Sequence, residues 1–115
     1  MTGTILNQDN LFDCAGRILQ IAAAIQCYRL SKPGLTPQQL SELDAYEHLC
    51  RSKALRIARA VSDTILVSLK DSIKALKQST VKVKEALEEL KEVNEAIQGI
   101  TQVIEIANSI ISVIG

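Results

Sequence analysis

The stretch VKEALEELKEVNEAIQGITQVIEIANSIISVI, residues 83–114, decides how the rest of the chain reads. Its apolar residues Val83, Ala86, Leu90, Val93, Ile97, Ile100, Ile104, Ala107, Ile111 and Ile114 follow one another at steps of three and four. A strand alternates with period two, whereas a helix brings a residue back to one face every 3.6 positions. The spacing is therefore the a/d seam of a heptad-patterned helix. Full burial of an aliphatic side chain is worth about 1.5–3 kcal/mol, so a seam this long must be covered. Gly99 divides it. Before that point Lys84, Glu85, Glu88, Lys91, Glu92 and Glu95 give the stripe a charged back. Beyond it Val103, Ile106, Ile110 and Val113 widen the apolar arc, leaving only a narrow polar strip.

The same three-four spacing governs the rest of the chain. Leu11, Cys14, Ile18, Ile21, Ile25 and Tyr28 form one stripe, which Phe12, Ala15, Leu19 and Ala22 widen. A helix apolar over so broad an arc belongs inside a bundle. The pattern predicts a first helix over about 9–30, capped by Asn7, Asp9 or Asn10 after an irregular lead. Ser31-Lys32-Pro33-Gly34-Leu35 breaks it. Thr36-Pro37-Gln38-Gln39 then restarts a helix as a capping box, with proline at the first helical position. From Gln38 to Gln98 there is neither glycine nor proline. Two capping-type clusters, Ser62-Asp63-Thr64 and Gln78-Ser79-Thr80, are the candidate breaks, and the second is favoured because the apolar stripe lapses there. The expected architecture is an all-α antiparallel helical bundle, one domain over 1–115. It has a short first helix and a long heptad-patterned C-terminal portion, with helices at about 9–30, 37–79 and 80–114.

Composition narrows the function classes. The chain has 115 residues, 47% of them hydrophobic but only 3% aromatic, so the core is aliphatic. Lys and Arg balance Asp and Glu at 13 each, yet charge is segregated along the sequence. Residues 1–50 sum to −2, residues 51–84 to +7 and residues 85–115 to −5. A basic middle between acidic ends predicts antiparallel pairing, inside one chain or between copies. Nucleic acid is not an expected partner, because no aromatic residues interleave with the basic ones. Arg51, Lys53, Arg56 and Arg59 form the densest basic run and a possible contact surface; ion pairing within the chain is the plainer reading.

No catalytic constellation stands out. His48, the single histidine, lies at helical spacing from Asp44 and Arg51 on a polar face. Cys50, two positions on, points elsewhere, so no Cys–His dyad forms. Cys14, Cys27 and Cys50 have no metal-ligand spacing and read as unpaired thiols in a reducing compartment. The first ten residues lack a secretory signal pattern, so a cytoplasmic location is expected, and no cofactor or metal is. The expected function is non-enzymatic interaction or assembly through the seam. Val83, Leu90, Val93, Ile97, Ile100, Ile104, Ile111 and Ile114 would form the interface with a copy of the chain or a second helical protein. The alternative is a membrane-active helix that lies in or inserts into lipid through residues 98–115.

Overall fold

The structure, a computed structural model, describes the backbone of residues 2–59 and 69–114 and the side chains of residues 11–59 and 69–114. Four helices follow in order: α1 (Thr2–Ser31), α2 (Pro37–Arg59), α3 (Lys70–Glu88) and α4 (Val93–Ile114). No strand occurs among the described residues, and the helices pack as a bundle, as the periodicity predicts.

The first helix is the longest of the four rather than a short one. Asn7, Asp9 and Asn10 lie within it instead of capping it; no proline interrupts the lead, and a polar residue costs a helix only tenths of a kcal/mol. The break after it is as the sequence predicts. Gly34 takes φ +81°. The Thr36 amide donates to Gln39 Oε1 at 2.9 Å, and the Gln39 amide donates to Thr36 Oγ1 at 3.1 Å. This reciprocal pair satisfies two of the amides that a helix start leaves open.

The favoured break at Gln78-Ser79-Thr80 is not there, since α3 runs through it. Thr80 is buried, and its hydroxyl donates to the carbonyls of Leu76 at 2.9 Å and Lys77 at 3.1 Å. Bonding back to the preceding turn lets a threonine sit inside a helix without interrupting it. The other candidate, Ser62-Asp63-Thr64, lies outside the described residues.

The chain reverses instead at residues 89–92, inside the stretch read as one continuous seam. The Lys91 amide donates to the Ala86 carbonyl at 3.0 Å, and the Leu90 amide donates to the Leu87 carbonyl at 3.2 Å. These are the two bonds of a Schellman helix end, which ordinarily places glycine where Leu90 stands at φ +54°. Charge acts both ways at this break. Glu88 and Glu89 oppose the helix dipole at the end of α3, whereas Glu92 and Glu95, left beyond the turn, stand at the favourable N-terminal end of α4.

The folded-back seam packs on itself. Val83 of α3 meets Gly99 of α4 so closely that a Cβ on Gly99 would overlap the Val83 Cγ2 methyl and stand 3.3 Å from its Cβ. α1 packs on α2 and α3, and α4 packs on α3 and α2, so α1/α4 and α2/α3 stand on the diagonals. Within each hairpin the helices are antiparallel. α1 and α3 run the same way, because Asp13 lies 3.9 Å from Lys77 and, four turns on, Tyr28 reaches Lys91. Two hairpins thus lie side by side in a body 51 Å long. Ile18, Ile21, Ile25, Leu43, Ile57, Leu76, Leu87, Ile100, Val103 and Ile110 fill the core, with Tyr28 the one aromatic among the buried residues.

Gly99→Ala is expected to cost about 1–2 kcal/mol in urea unfolding, because overpacking outweighs the gain in helix propensity. Combined with Val83→Ala, which vacates the contact, the same change becomes neutral or stabilising by up to about 1 kcal/mol.

Candidate interaction surface

The residues singled out in the seam divide in the fold. Val83, Ile100 and Ile104 are buried in the chain's own core. Leu90, Val93, Ile97, Ile111 and Ile114 are half-buried and pack against that core. The two arms of the seam therefore cover much of each other. On α4 the exposed positions are mainly polar: Asn94, Gln98, Gln102, Glu105, Asn108 and Ser109. By length and composition alone α4 is apolar enough to cross a membrane; Ala96, Ile100, Val103, Ile104, Ala107 and Ile110 face the core, whereas Val113 is exposed.

The basic run is similarly divided. Arg51 turns back to Glu47 on its own helix, with Nη2 2.9 Å and Nε 3.2 Å from Oε2. Arg29 of α1 holds the other oxygen at 2.7 Å and lies 3.5 Å from Asp44. Glu47 is nearly buried. Desolvation alone would raise its pKa, but the hydrogen bonds from Arg51 and Arg29 outweigh it and hold the carboxyl below its ordinary value. Lys53 is half-buried, and Arg56 and Arg59 are exposed toward the far end of the bundle. This cluster joins α1 to α2.

Nucleophile chemistry gains no support from the geometry. Burial pushes the Cys14 and Cys50 thiols up to about 11, while Cys27 is exposed. His48 is a surface residue whose Nδ1 lies 2.8 Å from the Asp44 carbonyl oxygen. Among the described residues no three His, Cys, Asp or Glu side chains gather to hold a metal ion.

The outward side of α1 departs from the expectation of a wholly buried stripe. Phe12 and Leu19, read as widening the buried stripe, are 53% and 40% exposed, and Leu30 is 81% exposed. Gly16, Ala23 and Gln26 complete the row, so positions 12, 16, 19, 23, 26 and 30 repeat steps of four and three without a slip. This second seam lies beside the buried one, and Cys27 borders it. None of these residues is charged. Among the described residues, nothing beyond its own helix turn stands within 4 Å of where a Gly16 Cβ would lie, so that glycine makes no close packing contact with them. The signal was present in the sequence: α1 has two parallel seams, one starting at Leu11 and one at Phe12. A helix in a small bundle can bury only one of them.

No protein-family model, curated protein or solved structure matches this chain.

A thiol reagent at neutral pH is expected to modify Cys27 alone in the folded protein, and Cys14 and Cys50 only after unfolding; mass spectrometry of labelled peptides checks this. Glu47→Gln should cost about 2 kcal/mol at pH 7, because two arginines lose their shared carboxylate. A depressed carboxyl pKa gives stability that is fully present above the unfolded value, near 4.5. That stability disappears as pH falls through the folded value. Urea titrations from pH 6 to pH 3 should therefore show a smaller acid loss in Glu47→Gln than in the wild type.

Proposed function

We propose that the chain is a non-enzymatic helical interaction module whose contact surface is the outward seam of α1. The carrying observation is the row Phe12, Gly16, Leu19, Ala23 and Leu30, uncharged, in heptad register and uncovered. An apolar row along a helix is favoured in water only when another surface covers it, and α2 and α3 cover the two flanks of α1 away from this row.

Size sets the kind of contact. Covering the exposed fractions of Phe12, Leu19 and Leu30 is worth about 4 kcal/mol before the cost of association. That supports weak, reversible association rather than an obligate complex. The seam expected to carry the interface, Val83 through Ile114, contributes less because its two arms pack together. The membrane reading keeps one favourable observation, the length and apolarity of α4. Engaging lipid through α4 requires its apolar arc to leave the core, which opens the bundle.

Affinity purification from the source cells, with wild-type and Leu30→Glu baits compared quantitatively, tests the proposal. Leu30 is so exposed that the substitution should leave the melting temperature unchanged within about 2 °C. Partners are expected with the wild type and depleted at least about tenfold with Leu30→Glu. Equal recovery by both baits, or vesicle flotation that requires residues 98–115 and ignores Leu30, overturns it.

A further inference from the structure

We infer that the occupant of the α1 seam is a second copy of this chain, packed antiparallel about a two-fold axis near residue 21. This rests on the reading of the seam as a contact surface. The seam is self-complementary in the way an isologous interface requires, since each contact must occur twice. About residue 21, position 12 falls opposite 30, 16 opposite 26 and 19 opposite 23. Phe12 meets Leu30 of the second copy, Leu19 meets Ala23 and Gln26 meets Gly16. In both inner pairs a longer side chain faces a small one, as close helix approach needs.

Charge fixes the direction. The end of the bundle with the two tight turns carries Glu85, Glu88, Glu89, Glu92 and Glu95 in excess over Lys84 and Lys91, the latter 3.4 Å from Glu89. The opposite end carries Arg56, Arg59, Lys70, Lys74 and Lys77 in excess over Asp71 and Asp13, the latter 3.9 Å from Lys77. The register of α1 against α3, an offset of 63–64 residues, places residue 84 of α3 level with residue 21 of α1. A two-fold axis at that level sets Lys77 beside the turn that holds Glu89 and Glu92 of the second copy. A parallel pair would stack lysines on lysines and glutamates on glutamates, which opposes association. α3 flanks α1 on the same side in both copies, so the ion pairs form along one edge of the apolar contact.

Sedimentation velocity from 10 µM to 1 mM should show a monomer–dimer equilibrium. Leu19→Glu and Leu30→Glu should each weaken it about tenfold or more while keeping helical content and melting temperature. Raising the salt from 50 mM to 500 mM should weaken it several-fold, because exposed ion pairs are screened. In a Cys27→Ser background, a spin label at Ser31→Cys reports direction. The antiparallel dimer separates the two labels by about 30 Å along the axis, at 1.5 Å per residue. A parallel dimer brings them within about 15 Å. A short label distance, or a dimer indifferent to Leu19→Glu and Leu30→Glu, overturns the inference. A monomer throughout also overturns it, and an apolar fluorescent dye then separates the two readings. Dye binding that Leu30→Glu abolishes leaves the seam as a surface for a different partner. Absence of dye binding removes the contact surface as well. Flotation of that monomer on phosphatidylserine vesicles, lost in Leu30→Glu, assigns the seam to a membrane and likewise overturns the second copy.

Discussion

The bundle depends on the reversal at Leu90. A non-glycine residue in the left-handed region costs about 1–2 kcal/mol, and Leu90 takes φ +54° in a turn that contains no glycine. The surroundings hold it there. Tyr28 donates its hydroxyl to the Lys91 carbonyl at 2.5 Å, and Lys32 donates to the Leu90 carbonyl at 3.0 Å. Burial, with Glu92 and Glu95 nearby, raises the Tyr28 pKa, so the phenol keeps the proton it donates. Both donors come from the C-terminal end of α1 and its exit. The half-buried Leu90 side chain packs against the core and offsets part of the strain. α1 thus clamps a turn that belongs to the other hairpin, and the two hairpins are fixed to each other there.

The reversal decides what the seam can do. Residues 83–114 as one straight helix would span about 48 Å, and its two arms could not then cover each other. Folded at Leu90, the first arm lies on the second, and Gly99 lets Val83 approach closely enough for the two to interlock. α3 then occupies one flank of α1, while α2 occupies the other through Arg29 and Glu47. With both flanks taken, the third side of α1 faces outward.

Much of this was legible in the residues. Period between three and four gave helices throughout, and Thr36-Pro37-Gln38-Gln39 marked the start of α2 through a capping box that uses local atoms only. The break at 89–92 was not legible by the usual markers, because its stop signal is a leucine forced into a glycine conformation by contacts from α1, 58 and 63 residues away. Thr80 misled for the opposite reason: a capping-type residue was absorbed by bonding to its own helix. Phe12 and Leu19 look like core in the sequence because hydropathy reports what a side chain prefers, not whether the fold has a neighbour to give it. The cluster of Glu47 with Arg29 and Arg51 was half visible, as the spacing from 47 to 51 sits on one helix and the approach of Arg29 depends on the hairpin.

Exposed apolar side chains are ordinary on small proteins, and single ones carry no information. Leu49, Leu55 and Val81 are as exposed as Leu19, yet each stands on a helix whose other outward positions are largely polar. The outward positions of α2 include Ser41, His48, Ser52 and Arg59, and those of α3 include Lys70, Lys74, Gln78 and Lys82. α4 turns its amide and carboxyl side chains outward. On α1 the outward row is Phe12, Gly16, Leu19, Ala23 and Leu30, interrupted only by Gln26. Register, more than exposure, sets this row apart: apolar residues that recur at three and four on one helix present a seam that only another surface of comparable length can cover. Of the four outward faces, this one is unsuited to water along its length, and its charge-free row lies between the acidic and basic ends of the same molecule.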